Sequence, residues 1–384
     1  MKTELDLKRR MPRIHLSAIL LIALLPITLA CQPPSESLSV QPPATSTTPL
    51  GDTVPDFSPS AMVLHESPNG DIWVGSYDQG AFRYDGKVIV RYDTADGLPA
   101  LRVNEIQSDK SGNIYFTTSK GICKFDGKSI VTLPEVQRLS ESEPWVSSPE
   151  DLWFKGNEGS YGPVRYDGEW LHSMRFPKHY MADQYFKDNP GHPWSPYDLY
   201  SIYRDPQGAM WFGTGNLGLC RWDGKHLEWM YEDHLQFTPS GGSFGIRSVF
   251  QDREGSYWIC NSKYRYRMED SDAPGKVEER DGNRLIRYKR EPGIQGLKTP
   301  DGQDHIYFFG MVQDAQGDLW MVTYDDGIFR YDGKTVSRYP VQDSGKDYTT
   351  YSILLDRSGN IWVGTHEGGL FRFDGQDFRR VRMD

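Results

Sequence analysis

The chain has 384 residues and a formal net charge of −10, with 37% hydrophobic and 13% aromatic side chains, 38 Gly and 25 Pro. An acidic balance without basic runs argues against nucleic acid as a partner. Four scattered cysteines with no CxxC argue against a disulfide framework or a thiolate metal centre. Trp, Tyr, Phe, Gly and Asp, in place of Ala- or Leu-rich stretches, predict a mostly β globule of short strands and tight turns.

A basic start with Lys8, Arg9, Arg10 and Arg13 precedes the apolar run "LSAILLIALLPITLA". That run is too short and too early for a spanning helix, so residues 1–30 read as a secretory signal. Its end, "ITLAC", resembles a bacterial lipobox, which makes Cys31 the lipid-bearing first residue after cleavage. Gln32 rather than Asp at the next position implies outer-membrane sorting. Loss of the leader's five basic and two acidic residues takes the net charge to −13. Residues 31–55 are rich in Pro, Ser and Thr and read as a tether from the membrane. Extended at ~3.1 Å per residue, it reaches up to roughly 70 Å.

Residues 56–384 are repetitive. A strand aromatic recurs at Trp73, Tyr115, Trp153, Trp211, Trp258, Trp320 and Trp362, and an Asp-Gly follows each at Asp85, Asp126, Asp167, Asp223, Asp281, Asp332 and Asp374. Plain repeats are 41–42 residues long, a period typical of propeller blades. The last unit divides into four strands, "TYSILLD", "NIWVGT", "GLFRFD" and "DFRRVR". The first turn follows "DxxGxxW", as in "DPQGAMW" and "DRSGNIW", with Asp bonding turn amides and Gly supplying positive φ. The third turn is the Asp-Gly, a hairpin signal. One such unit cannot bury both apolar faces, but seven packed radially can, so the fold expected is an all-β, seven-bladed β-propeller of four-stranded blades. The second unit has Tyr115 for Trp, the third begins "SSPEDLW", and the fifth has Arg280 where an aromatic precedes the Asp-Gly. Residues 53–58 are expected to add a strand to the last sheet.

These motifs are similar to those of the two-component regulator propeller family, roughly "DxxGxxWxGTxxGGLxRYDG". The likeness runs over about residues 58–384 and is strongest at 356–375, "DRSGNIWVGTHEGGLFRFDG", at 205–224 and at 314–333. It implies a blade type and an extracytoplasmic sensing or binding role. The chain shows one set of seven repeats and no kinase or response-regulator segment.

From strand aromatic to Asp the spacings are 12, 11, 14, 12, 23, 12 and 12 residues, and from Asp to the next aromatic 30, 27, 44, 35, 39 and 30. If the "DxxGxxW" and Asp-Gly turns stay short, one face is plain and the other carries every long loop, where binding is expected. The longest stretch, residues 172–200, holds Tyr180, Tyr185, Phe186, Trp194 and Tyr197, with His179 and His192 among them. Such rings grip sugars, peptides and cations, or else pack the loop down. Second-turn pairs Tyr77-Asp78, Asn157-Glu158, Tyr324-Asp325 and His366-Glu367 are further candidates. The ligand-site candidates are thus Tyr180, His192, Trp194, Tyr197, Tyr324, Asp325, His366 and Glu367. Removal of 174–196 is expected to leave the disc folded, and 263–280 reads as a hairpin extension.

Catalytic signals are thin. "GGSFG" (241–245) matches a nucleophile elbow around Ser243, but lies in a blade-to-blade loop rather than a strand-to-helix turn. Nine histidines show no metal spacing, and the Asp-Gly carboxylates serve turns. No cofactor is expected, a divalent cation at the acidic loops being the one candidate. The leading reading is a lipid-anchored propeller of the cell envelope that binds a small molecule or glycan, or serves a sensor. The alternatives are an envelope protein scaffold and a polysaccharide or cyclic-peptide lyase or hydrolase.

Overall fold

The structure, a computed structural model, describes residues 50–135, 145–156, 159–192, 194–238, 242–270, 273, 277–299, 302 and 304–383. The signal and Cys31 therefore lie outside the described residues, as do Asn157 and Glu158. Seven antiparallel blades follow in chain order. Blade 1 comprises Ala61–Glu66, Ile72–Ser76, Ala81–Tyr84 and Ile89–Tyr92; blade 2 comprises Val103–Ser108, Ile114–Thr118, Gly121–Phe125 and Ile130–Thr132. Blade 4 comprises Leu199–Arg204, Met210–Thr214, Leu219–Trp222 and Leu227–Met230. Blade 5 comprises Val249–Gln251, Tyr257–Ile259, Tyr264–Met268 and Tyr288–Pro292. Blade 6 runs from Gly310–Gln313 to Val336–Tyr339, and blade 7 from Thr350–Leu355 to Phe378–Arg380. Blade 3 has only Leu152–Phe154, Val164–Tyr166 and Leu171–Ser173 among the described residues. Residues 136–144, which precede them, lie outside the described residues, and Trp145 stacks on Trp153 (5.8 Å) and Phe176 (5.5 Å).

The core is seven apolar clusters, one between each pair of neighbouring blades. Each strand-two aromatic faces the following blade, and Trp362 of blade 7 faces Ile72, Val74 and Phe82 of blade 1. The ring is closed by the same contact that joins every other pair. The repeated Asp fixes four of the indoles. Nε1 of Trp211, Trp258, Trp320 and Trp362 donates to Asp205, Asp252, Asp314 and Asp356, six residues earlier, each at 2.8 Å. Tyr115 donates to Asp109 in the same way at 2.9 Å. The other oxygen of each Asp accepts turn amides, as Asp356 does from Asn360 at 2.7 Å. Blades 1 and 3 have Ser67 and Ser147 six residues before the Trp, and Trp73 Nε1 and Trp153 Nε1 are buried with no hydrogen-bond partner among the described residues. Gly364, two residues after Trp362, is required by approach: a Cβ there would lie 2.3 Å from the Ala61 carbonyl of blade 1.

The seam between blades 7 and 1 departs from expectation. Asp52–Val54, inside the stretch read as tether, pairs antiparallel with the outer strand of blade 1 rather than with the last sheet. The free edge of Ile89–Tyr92 supplies its hydrogen bonds, and Leu50 packs on the first inter-blade core. The following residues cross to blade 7, where Gly369 N–H donates to Pro59 O (2.7 Å) and Arg380 pairs with Asp56 (2.8 Å). Phe57 is buried between the two blades. On the opposite face, Arg357 of blade 7 bonds Glu66 (3.0 Å) and the carbonyls of Pro68 (2.8 Å) and Ser67 of blade 1.

The plain-face expectation also needs correction. In blade 5 the second turn is short and the long insertion joins strands three and four, on the face of the first and third turns. Within it Asp281-Gly282, both at positive φ, form the tip of a separate hairpin, Glu279–Arg280 with Asn283–Leu285. That hairpin continues the sheet of blade 4 by parallel pairing to Leu227–Met230. Buried Glu228 holds it through Arg284 (3.3 Å) and Arg221 (3.1 Å). Arg280 replaces the usual aromatic because it lies over the Tyr180 ring (4.5 Å) and not in a blade interface.

The Asp–indole bonds make the frame testable. Asp356→Ala strands the Trp362 N–H at the closing interface and should lower stability by about 3 kcal/mol, whereas Ser67→Asp should raise it by about 1 kcal/mol by giving Trp73 a partner; urea unfolding measures both. Burial, with Arg357 beside it, holds the His65 imidazole down at about 4, and burial with Arg280 holds His179 at about 4. Both are neutral in the fold and take up protons more readily when unfolded, so stability is complete above pH about 6.5 and falls as pH drops towards 4. His65→Asn should flatten that decline, read from urea midpoints between pH 7 and 4.

Candidate ligand-binding site

On the face of the second turns and blade connections, the first strands surround a cavity of about 950 Å3. Four first strands carry a bulge there, between Ala61 and Val63, Val103 and Glu105, Leu199 and Ser201, and Thr350 and Ser352. The bulged residues are Met62, Asn104, Tyr200 and Tyr351, and all four line the cavity. A bulge re-aims one side chain, and here it lies where a strand leaves the ladder at the mouth. All four stand eleven residues before the strand-two aromatic, and the same position in blades 5 and 6 holds Arg247 and Phe309, which also line the cavity. One position in six of the repeats thus contributes to the chemistry of the mouth.

Aromatic rings run along one side of it. Phe309 stacks on Phe244 (5.5 Å) and Tyr351 (5.2 Å), Phe244 meets Tyr307 (5.1 Å), and Tyr324 packs edge-on against Phe309 (5.7 Å). The Arg247 guanidinium lies over Tyr200 (4.6 Å), Phe309 (5.2 Å) and Phe244 (5.5 Å). Arg102 of the blade 1–2 connection lies over Tyr77 (4.6 Å). Two carboxylates share the lining. Glu105 accepts from Lys155 N (3.0 Å) and Gln107 Nε2 (3.0 Å), and burial pushes its carboxyl up. Asp198 accepts from the amides of Gly159 (2.9 Å) and Ser195 (3.1 Å).

The candidates read from the sequence fall in different places. Trp194, 50% exposed, lines the cavity, and Tyr324, 45% exposed, extends its row of rings. His192 is exposed and its Nδ1 accepts weakly from Trp194 N (3.4 Å). Asp325, His366 and Glu367 are exposed at turn tips away from the lining, and Glu367 pairs with Lys346 (3.2 Å). Tyr180 is not in the lining: Arg280 of the blade 4 hairpin lies over its ring, and its N–H donates to Asn283 Oδ1 (3.3 Å) of the same hairpin. Tyr197, 3% exposed, belongs to the core between blades 3 and 4, and its hydroxyl accepts from His179 N (2.9 Å). Arg102, Glu105, Tyr200, Arg247, Phe309 and Tyr351 were not among the candidates. Reading the repeats eleven residues before each aromatic was the signal that marked four of these six.

Ser243 Oγ accepts from Asn216 Nδ2 (2.9 Å), and neither a histidine nor a carboxylate bonds it among the described residues. Cys123, Cys220 and Cys260 are buried thiols, with burial pushing Cys123 and Cys260 up to about 12. Among the described residues no group of three His, Cys, Asp or Glu is placed to hold a metal ion, and no helix is long and apolar enough to cross a membrane.

Asp-locked aromatics, a seven-fold ring and a mouth built from first-strand bulges define a seven-bladed propeller with a cavity on its loop face. The chain carries repeats of the two-component regulator propeller family, whose profile matches residues 194–216 and 344–367. A comparison with curated proteins finds no match. Among solved structures the chain is similar to the extracellular domain of the one component system BT4673 of B. thetaiotaomicron, at 20% identity and a TM-score of 0.53, over 83% of this chain and 39% of that one. The extracellular domain of the hybrid two component system BT3049 of the same organism gives 16% identity and a TM-score of 0.54, over 85% and 40%. The chain thus spans about two fifths of the length of these sensors' solved domains. A catalytically inactive virginiamycin B lyase from Staphylococcus aureus, solved with quinupristin, gives 15% identity and a TM-score of 0.55, over 84% and 97%. At these identities the likeness is one of fold.

The long loop is not the dispensable decoration expected, because Phe176, Ala182 and Tyr197 are buried in the core between blades 3 and 4. Removal of 174–196 should therefore unfold that interface. Phe176→Ala should cost 3–5 kcal/mol, whereas Trp194→Ala should change stability by less than about 1 kcal/mol; thermal melts of the two variants separate frame from mouth.

Proposed function

We propose that this protein is an extracytoplasmic ligand-binding propeller of the sensor type, held to the envelope through a lipid on Cys31, with a small molecule or glycan seated in the mouth of the central cavity. The observation that carries the reading is the cavity itself. Its volume of about 950 Å3 suits a ligand of a few rings, and its walls combine flat aromatic faces with a few polar groups. The rings are held by one another and by the bulged strands, so binding them costs little ordering. The sensor domains of similar fold support an extracellular setting, and the sequence of residues 1–31 supports the anchor.

The lyase reading has less behind it. None of the described cavity-lining residues is a histidine, and both carboxylates already accept backbone amides. A general acid and base would have to come from elsewhere.

The test is a thermal-shift screen of the purified mature chain against glycan fragments, short peptides, nucleotides and divalent cations. A ligand at 100 times its Kd adds ~2.7 kcal/mol, which raises the midpoint by about 4 °C for a domain of this size. The shift should vanish in Tyr200→Ala and persist in Phe186→Ala on the outer loop. A shift that survives Tyr200→Ala would move the site away from the mouth.

A further inference from the structure

We infer that the mouth recognises an oxyanion, a carboxylate or a sulfate, on a ligand that also presents a flat apolar face. The inference rests on the ligand-site reading above and names the chemistry of what enters. Its basis is the state of two arginines on opposite arcs of the mouth, in front of blades 2 and 5.

A guanidinium has two surfaces to satisfy: faces that stack on rings, and an edge of N–H donors that fits planar oxyanions. At Arg247 the faces are occupied by Tyr200, Phe244 and Phe309, and Nε donates to the Phe244 carbonyl at 2.9 Å. Its two Nη atoms have no partner among the described residues, and no described carboxylate lies within ion-pair distance. Arg102 repeats the arrangement, with Tyr77 on one face, Asn104 Oδ1 on Nε at 3.0 Å, and both Nη atoms unbonded among the described residues. Four arginines elsewhere are by contrast paired: Arg165 with Asp151, Arg221 with Glu228, Arg330 with Asp318 and Arg380 with Asp56. Two arginines spared that pairing, held by rings and lining one cavity, are poised rather than structural. Lys155 adds a third cation to the lining. The carboxylates opposite are engaged with amides, and Glu105 is pushed towards its neutral form by burial. Local charge in the mouth therefore runs against the net charge of −10. The row of Phe309, Tyr351 and Tyr324 beside Arg247 supplies the flat apolar contact.

The experiment is calorimetric titration of the purified protein, at constant ionic strength, with a uronate disaccharide, a sulfated disaccharide and their carboxyl-reduced and unsulfated counterparts. At least one anionic probe should bind at least tenfold more tightly than its neutral counterpart. Arg247→Gln and Arg102→Gln should each weaken that probe about tenfold, and Arg247→Lys should restore part of the loss. Which probe responds distinguishes carboxylate from sulfate. Neutral counterparts binding as tightly as the anions would overturn the oxyanion inference and leave the ligand site standing. Absence of binding by either anion would overturn the inference also, while the wider screen above decides the site independently. Should Arg247→Gln unfold, judged by circular dichroism, the Arg102→Gln titration decides the matter from the other side of the mouth: a tenfold loss there supports the inference, and unchanged affinity overturns it.

Discussion

The rest of the structure depends on one interaction: the strand-two aromatic of each blade wedged against the next, its N–H or O–H fixed in five of the seven blades by an aspartate six residues earlier. A large ring in a blade interface supplies apolar burial, but a buried indole N–H without a partner costs free energy. The Asp resolves that conflict and, with its second oxygen, closes the turn that precedes the ring. One carboxylate thus ties local turn, strand and inter-blade packing together. Tyr257 shows how far the tie extends, since its hydroxyl reaches across from blade 5 to Asp205 of blade 4 at 2.9 Å. Blades 1 and 3 lack this Asp, and they are also the places where the chain adds other supports, the seam segment at one and the stacked Trp145 at the other.

A ring of seven similar blades has a weak point where its ends meet. Many contacts here converge on that point: Trp362 from within, Arg357 on one face, and residues 50–59 along the outside, paired to blade 1 and bonded to blade 7. Because no blade among the described residues is completed by strands from both ends of the chain, this segment acts as the clasp. The hairpin of blade 5 plays a similar part at blade 4, covering an outer edge that would otherwise offer unpaired amides to solvent.

The same rigidity makes the mouth variable at low cost. The position eleven residues before the aromatic lines the cavity in six blades, and in four of them a bulge re-aims its side chain. Met, Asn, Tyr, Arg, Phe and Tyr can then occupy it without disturbing the Asp–aromatic frame. Binding chemistry and folding chemistry are written at different offsets of one repeat. This separation lets the wall of the cavity vary while the frame stays the same, and it is where Arg247 sits among rings.

The sequence by itself determined the seven-fold ring, the four-strand pattern, the Asp-Gly turns and the placing of each strand aromatic, because these depend on contacts that recur with the repeat. That Trp194 and Tyr324 lie on the face of the second turns and connections was legible for a related reason, whereas which residues of that face line the cavity was not, since Asp325, His366 and Glu367 share the face and stand away from the lining. Only the tertiary structure decided the remainder. Tyr197 and Phe186 look alike in a loop, yet the first is core and the second exposed, since that depends on which surface of blade 4 lies beneath. Asp281-Gly282 reads as a blade turn but tips a hairpin on a neighbouring sheet, because partners in parallel pairing are set by distance in space rather than along the chain. The two arginines carry no motif. Their meaning comes from how they are placed, beside rings and beyond ion-pair distance of the two carboxylates in the same lining, which no local window of sequence contains.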